Sequence, residues 1–548
     1  MVTGMATAMA MGTARRPVAI RRPEYLPTGS ASRLCLTLHR WLGRQVLPQM
    51  VGVMGVATFA AHAQEQTPVA RAGFFLQPRL SISETVTSNV GLDRGGDARA
   101  DAITDISPGL RVSSRSGRIV GDLDYALHGL IYARRSSASE VQQSLSARGT
   151  AEAIEKWAYV DASASIAQQS ISALGTRSVD RNLADSNRAE VSTYQIAPYV
   201  RGPLGSFANY QVRWDWTSSN SSGSSAQSTS NTASFVLSSS QALFSRLGWS
   251  LNASRQSSEF QNRGRQSSTS LNGRLTFAVT PEFQLSAGAG RERNDYQRLS
   301  QKSSTYWSGG FTWKPTERTV LEVTREHRFF GNAYNIRFEH RTPRTVWTFV
   351  DNQDVNTTAS ANGTNSPRTV FDLLYAQFAS IAPDPAQRAA LVDAFLQNNG
   401  LTRSTLVNGG FLTNAASIQR RQNLSLALIG LRSTLLLSTS RNDARAVDPT
   451  ATNAGDLSNG RNLHSTGFGI NVSHRLTPLS ALSADLSLNR NSSTGDNRTT
   501  RLRSLSTTYS TRLSNQVDLS LSARRTLFHS DVDPYNESAI VASLRMRF

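Results

Sequence analysis

Apolar and polar residues alternate one for one through most of this chain, and that period of two constrains everything else. "IVGDLDYALHGLIYARR" sets Ile119, Leu123, Tyr125, Leu127 and Ile131 on one face and Asp122, Asp124, His128 and Arg134 on the other. "YQVRWDW" sets Tyr210, Val212, Trp214 and Trp216 against Gln211, Arg213 and Asp215. "LNGRLTFAV" sets Leu271, Leu275, Phe277 and Val279 against Asn272, Arg274 and Thr276. "LSADLSLN" and "QVDLSLSAR" continue it, with Asp485 and Asp518 on the wet faces. Successive side chains of an extended strand point to opposite faces, whereas a helix needs apolar spacings of three and four. The chain is therefore all-β. A large soluble sandwich or solenoid would bury the greasy faces against one another; a membrane barrel would turn them to lipid.

The connections separate these alternatives. Tight turns fall at Arg115–Gly117, Glu155–Lys156, Gly202–Gly205, Thr280–Glu282, Pro315–Glu317, Thr342–Pro343, Thr477–Leu479 and Ser514–Asn515. Pro203, Pro281, Pro315, Pro343 and Pro478 sit in them, as expected of a residue with no N–H for a central ladder. Between them come longer polar loops: Ser88–Ala100, Ser172–Arg188, "TSSNSSGSSAQSTSN" from Thr217, Asn442–Arg461 and Asn491–Thr499. Short turns at one end and long loops at the other describe an outer-membrane β-barrel. The runs number about 22, with 18–22 compatible with the pattern, in an antiparallel transmembrane barrel spanning 74–548. Trp249, Phe283, Trp313 and Phe548 lie on apolar faces beside the short turns, as in an interfacial aromatic girdle.

The final strand, "AIVASLRMRF", puts Phe548, Met546 and Leu544 on its apolar face. It resembles the carboxy-terminal signal by which the β-barrel assembly machinery recognises outer-membrane clients. At the other end Arg40 and Arg44 precede an apolar core from Val51 to Ala60 and then Ala61-His62-Ala63. That order predicts a secretory signal over residues 1–63, too short in its core to span a membrane, and then a short periplasmic segment over 64–73. The only cysteine, Cys35, lies in this leader, so the exported chain has no thiol for disulfides or metal. Seven arginines and Glu24 leave with it, taking the formal charge from +19 to +13. Export to the bacterial outer membrane excludes nucleic acid as a partner and makes lipid and lipopolysaccharide the expected surroundings.

Residues 352–416 break the alternation. "SPRTVFDLLYAQFASI" has Ser366 as N-cap and Pro367 in the first turn, with Val370, Leu373, Leu374, Phe378 and Ile381 on one face. "DPAQRAALVDAFLQNNG" repeats the device with Asp384 and Pro385, then Leu391, Val392, Phe395 and Leu396, and Gly400 as the stop. The spacing predicts a helical hairpin on the outer side of the barrel. Leu373, Leu374, Phe378, Val392 and Phe395 are its candidate plug residues; a hairpin packed on itself over the mouth fits the same pattern.

Three stretches carry a resemblance: "LQPRLSISETVTSNVGLD", "DAITDISPGLRVSSRSGR" and "PRTVFDLLYAQFASIAPDPAQRAALVDAFLQNNGL". In that order they resemble the outer-membrane β-barrel proteins associated with the PEP-CTERM system, porin-like barrels encoded with exopolysaccharide biosynthesis genes in Gram-negative bacteria. The resemblance implies a part in passing or anchoring exported polysaccharide, with the polymer and its export apparatus as partners. It brings no catalytic residues.

The basic residues are nearly all arginine, Lys156, Lys302 and Lys314 being the only lysines. Arg134, Arg135, Arg263, Arg265, Arg291, Arg293, Arg501 and Arg503 cluster near expected outer ends. Guanidinium forks there suit an anionic polymer in the lumen or lipopolysaccharide phosphates at the rim; structural pairing such as Arg213 with Asp215 is the simpler role. Enzymatic chemistry is not expected. His529 and Ser530 are strand neighbours on opposite faces, and no nucleophile elbow, phosphate loop or His-x-x-x-His pair occurs. "DVDPYNE" offers Asp531, Asp533, Asn536 and Glu537 but lacks the spacing and glycine of a calcium loop. No cofactor or metal is expected, and a barrel hydrolase ranks last among the functional classes.

Overall fold

The computed structural model describes residues 73–222, 226–240, 246–261, 264–296, 302–358, 371, 374, 375, 378, 385–398, 411–452 and 454–548. The leader over 1–63 and the segment 64–72 lie outside them, as do Leu373, Arg263 and most of the first expected helix.

The alternating runs form 22 strands. The first seven are β1 (Phe74–Thr87), β2 (Asp101–Ser116), β3 (Ile119–Tyr132), β4 (Glu140–Ile154), β5 (Ala158–Ser170), β6 (Arg188–Leu204) and β7 (Ala208–Ser221). Next come β8 (Gln227–Ser239), β9 (Leu247–Phe260), β10 (Gly264–Ala278), β11 (Phe283–Asn294), β12 (Lys302–Thr316), β13 (Thr319–Arg328), β14 (Gly331–Arg341) and β15 (Thr345–Asn356). The last are β16 (Ser417–Ile429), β17 (Ser433–Ala446), β18 (Asn462–Arg475), β19 (Ser480–Thr494), β20 (Thr499–Arg512), β21 (Val517–Ser530) and β22 (Tyr535–Arg547). Each pairs antiparallel with the next, and β22 pairs with β1 from Arg79↔Arg547 to Thr87↔Ala539, closing the ring. Closure removes both sheet edges, which is what a strand protein needs in hydrocarbon.

Even-to-odd turns are short and define the inner end, where both chain ends of the barrel lie. Their chemistry is local. Thr280, Thr342 and Thr477 each stand before a proline and accept from the backbone N–H of the residue three further on, Phe283 (3.1 Å), Thr345 (3.0 Å) and Ser480 (2.9 Å). Two of the prolines expected in turns lie in strands instead. Pro203 belongs to β6, whose turn comes one step later at Gly205 with φ +60°, and Pro315 sits in β12 where the register slips between Trp313 and Thr316. A strand end or a bulge tolerates the missing donor as well as a turn does.

Apolar side chains on the outward parity are exposed along the wall, among them Trp214, Leu505, Leu521 and Ile540, a surface that water does not favour and lipid does. Trp157, Trp313, Trp347 and Phe548 are exposed near the inner end, and the Trp157 indole donates to Tyr210 Oη at 2.8 Å. The girdle is the expected one, with more members.

Some loops are shorter than the composition suggests. The Ser-rich stretch from Thr217 is mostly strand: β7 runs to Ser221 and β8 starts at Gln227. Its alternate hydroxyls face inward and some pair across the sheet, as in Thr193–Ser219 (3.2 Å) and Ser230–Ser258 (2.9 Å). Polarity marks a lumen wall here, not a loop. For the same reason β17 continues to Ala446 and β19 to Thr494, leaving loops at 447–461 and 495–498, and Asn536 and Glu537 belong to β22.

The insertion lies between Asn356 and Ser417, narrower than 352–416 because the strands continue at both ends. Its described helix, α1, is Pro385–Asn398, with proline in the first turn as the missing N–H allows.

Candidate functional site

The lumen is where this barrel differs from an empty cylinder. The β15–β16 insertion leaves from the outer end, yet its apolar residues pack near the inner end. Phe371, Leu374, Phe378, Val392 and Leu396 are buried together with Val346, at the start of β15, and Ala427, near the end of β16. Phe395, Ile429 and Leu436 pack against the same cluster. Phe378 and Phe395 meet edge to face at 6.3 Å. Of the candidate plug residues, Leu374, Phe378 and Val392 are fully buried and Phe395 partly so; Leu391, expected on the same stripe, is exposed.

The contacts cross the bore. Asp393 of α1 pairs with Arg111 of β2 at 2.7 Å. Arg148 of β4, which stands opposite β15 in the ring, lies 5.1 Å over Phe371 and 5.0 Å over Tyr375, while Arg388 of α1 lies 4.9 Å over Tyr375. The described residues of the insertion therefore touch facing walls.

A second segment lies at the outer mouth. Residues 171–187, between β5 and β6, are tied into a loop by Asn187, whose amide donates to the carbonyls of Ser172 and Thr176 at 2.8 Å each. The loop folds inward. Tyr132 of β3 donates to the Asn182 carbonyl at 2.8 Å, Tyr535 of β22 donates to the Arg177 carbonyl, and Asn491 of β19 donates to the Ala173 carbonyl at 2.7 Å. Asp456, from the loop between β17 and β18, accepts from the Ser172 hydroxyl and the Ala173 N–H, both at 2.7 Å. Burial pushes the Asp456 carboxyl up, partly offset by those donors.

The firmest anchor is ionic. Arg524 of β21 donates to Asp180 at 2.8 Å and to Glu537 of β22 at 2.9 Å, and Glu537 is wholly buried. Burial raises the Asp180 carboxyl, but Arg524 and the Asn182 N–H outweigh it and hold the group below the ordinary carboxylate value. Two apolar clusters seal the arrangement. Leu183 packs with Val90, Leu92, Ile103, Leu130, Tyr132, Leu502, Phe528 and Tyr535; Leu174 packs with Phe411, Leu457 and Leu463.

Beside this loop lies a grouping that looks catalytic. Ser107 and Asp105 both approach His128, the hydroxyl at 2.7 Å from Nδ1 and the carboxylate at 3.1 Å from the same nitrogen. Nε2 is occupied by Arg181 of the loop at 3.0 Å. A triad needs its nucleophile and its acid on different ring nitrogens. All three side chains are buried, and the cluster holds the loop to the wall. His529 and Ser530 do point to opposite faces of β21, by strand alternation. Glu537, a member of the acidic run considered for calcium, is bound to Arg524 instead. Among the described residues no group of three or more His, Cys, Asp or Glu side chains is placed to hold a metal ion.

Of the candidate arginines, Arg291, Arg293, Arg501 and Arg503 face away from the lumen. Arg291 and Arg293 share the outward parity of β11, while their neighbour Glu292 is buried on the inner face with Arg328 at 2.7 Å. Arg501 and Arg503 share the outward parity of β20 with Leu505, opposite Arg490 and Leu488 of β19. Arg265 bonds the Ser257 hydroxyl at 2.6 Å. The backbone N–H groups of Arg134 and Arg135 cap Asp101 at 2.9 and 3.1 Å, leaving their side chains exposed above β3. For Arg291, Arg293, Arg501 and Arg503 the outward parity fits the rim role and not the lumen role among the two that were expected. The lumen arginines are others, and Arg213 is indeed paired with Asp215 at 3.0 Å.

The loop network had one legible signal. Leu130, Tyr132, Val346, Ala427, Leu436, Leu463, Leu502 and Phe528 are apolar residues on the wet parity, and each lies in a cluster with an inward-folded segment.

No known sequence family and no curated protein matches the chain. Its shape is similar to that of several solved barrels. The siderophore receptor PirA of Pseudomonas aeruginosa is 11% identical, covering 88% of this chain and 81% of its own, at TM-score 0.36. The FrpB iron transporter of Neisseria meningitidis in its apoprotein form is 11% identical over 86% and 81%, at 0.44. The siderophore receptor PiuA of Acinetobacter baumannii is 10% identical over 86% and 82%, at 0.41. Likeness at that level carries no argument about what this chain binds. The closed 22-strand ring with its lipid-facing band is an outer-membrane type of barrel on its own geometry.

Proposed function

We propose that the chain is an outer-membrane channel component of an exopolysaccharide export system, shut at rest by its own insertion and outer loop. One observation supports the closed state: the insertion that leaves the outer end of β15 packs at the inner end of that strand and reaches the facing wall at Arg111 and Arg148. The polysaccharide role rests on the resemblance of the three stretches to barrels of exopolysaccharide loci. Removing 366–399 and joining the flanks with a Gly/Ser linker should leave a folded barrel, raise conductance in planar bilayers several-fold and admit large antibiotics. Deleting the gene should lower secreted polysaccharide. Unchanged conductance and antibiotic exclusion would refute the gate, and unchanged polysaccharide would refute the export role.

A second reading draws on the mouth. Loop 171–187 is bonded to β3, β19, β21 and β22 at once, which suits a non-conducting barrel that binds polysaccharide or lipopolysaccharide at the surface. Under that reading hairpin removal changes neither conductance nor polymer release.

A further inference from the structure

Lumen arginines in this barrel mostly answer a carboxylate. Arg79 meets Asp124 at 2.5 Å, Arg213 meets Asp161 at 2.7 Å and Asp215 at 3.0 Å, Arg274 meets Glu326 at 3.3 Å, and Arg547 meets Asp518 at 2.8 Å. Arg201 does not: among the described residues it makes no ion pair. It lies on β6 near the inner end, on the lumen parity with Tyr199 and directly across from Gln211 of β7. Its guanidinium carbon sits 4.5 Å over the ring of Tyr159. Tyr159 stacks on Tyr199 with centroids 5.1 Å apart and planes 16° from parallel, and Arg213 lies 5.2 Å over Tyr199.

That ladder has a consequence for the free cation. The Tyr159 ring and hydroxyl hold this guanidinium, whose remaining N–H donors can still meet a planar anion. The Arg201 side chain is exposed and borders a cavity of about 320 Å³, lined also by Lys156, Asn209, Gln211 and Ser238. No carboxylate lines it. The volume is at the lower end of the roughly 300–1,000 Å³ usual for small-molecule sites, and amide and hydroxyl groups beside Arg201 and Lys156, the latter paired with Glu155 at 3.6 Å, give orientation as well as charge. The ring faces of the tyrosines are already covered, so they serve to position Arg201 and do not stack on a ligand.

We propose that this inner-mouth cavity binds a carboxylate-bearing sugar unit, with Arg201 gripping the carboxylate and Asn209, Gln211 and Ser238 hydrogen-bonding the hydroxyls. It names the polymer class for the export reading and rests on that reading for its physiological meaning. Purified full-length barrel in detergent, titrated calorimetrically with hexagalacturonate, should bind with an affinity that falls as salt rises. Arg201→Gln should weaken it at least tenfold, and the fully methyl-esterified hexamer should bind wild type at least tenfold more weakly. Heat-modifiable migration checks that the variant is folded; Gln211→Ala, which leaves the stack intact, gives a second test with a smaller loss. Binding by Arg201→Gln within twofold of wild type, equal binding of acid and ester, or no binding of the acid would each overturn the site. The titration involves no export. Absent binding together with reduced polysaccharide on gene deletion would thus fail the site alone, and binding without that reduction would fail the export role alone.

Discussion

Replacing Asp180 with Asn tests whether loop 171–187 is held in the mouth by charge. The substitution keeps the side-chain size and removes the anion that faces Arg524 at 2.8 Å. Arg524 keeps Glu537 at 2.9 Å, so the guanidinium is not stranded. Breaking a buried pair outright costs about 3–5 kcal/mol, and one hydrogen bond to a charged group is worth about 1.5–3 kcal/mol. With one of two anions retained, we take about 2–3 kcal/mol, which at about 1.4 kcal/mol per decade raises the open fraction of the loop roughly 30- to 150-fold. The reporter is Val90→Cys. Val90 is buried beneath the loop, its carbonyl accepts from the Ala184 N–H at 3.1 Å, and the chain's own cysteine, Cys35, lies in the expected leader. A maleimide-polymer should label Val90→Cys slowly on intact cells and Val90→Cys with Asp180→Asn faster by that factor. Equal labelling rates in the two would refute the ionic latch and leave the apolar contacts of Leu183 as the whole of the hold.

Three further outcomes follow from the same geometry. Acid should release the loop: the Asp180 carboxyl is held below its unfolded value, so its stabilising contribution is complete above about pH 4 and fades as pH falls through the lowered value. Pepsin should then cut within 171–187 at about pH 2 in wild type and spare it at about pH 4, whereas Asp180→Asn should lose that contrast. Deleting Phe548, which is exposed beyond β22 and donates its N–H to the Pro78 carbonyl at 3.0 Å, should slow insertion and leave chain to periplasmic proteases; wild-type amounts of heat-modifiable barrel would argue against an assembly signal. A protease site inserted at 223–225 should be cut on intact cells and one at 205–207 should not, and the opposite pattern would invert the topology.

The strand alternation made the wall legible because parity alone assigns each side chain to lipid or lumen. Trp214 and Leu271 face out and Arg213 and Asn272 face in, as spacing requires. Strand ends were harder. Thr217–Asn231 is as polar as any loop, yet a strand end above the lipid band needs no apolar face, and some of its inward hydroxyls pair across the sheet. A lumen role for four of the candidate arginines failed on the same point. Arg501 and Arg503 alternate with Leu502 and Ser504, and it is Leu502, under the mouth loop, that marks the interior.

What fills the lumen depends on contacts between segments hundreds of residues apart, such as Asp180 with Arg524 or Ala173 with Asn491, which no local period encodes. Only the exceptions to the alternation point to them. Apolar residues on the wet parity gather in two groups: Leu130, Tyr132, Leu502 and Phe528 at the outer end, and Val346, Ala427 and Leu436 at the inner end. These are the two places where the chain folds back into its own bore. The two inward-folded segments also stand outside the strand ladder, because every strand bonds two neighbours around a ring that includes neither loop 171–187 nor α1. Freeing loop 171–187 would break side-chain contacts and the Ala184–Val90 backbone bond and leave the strand ladder whole.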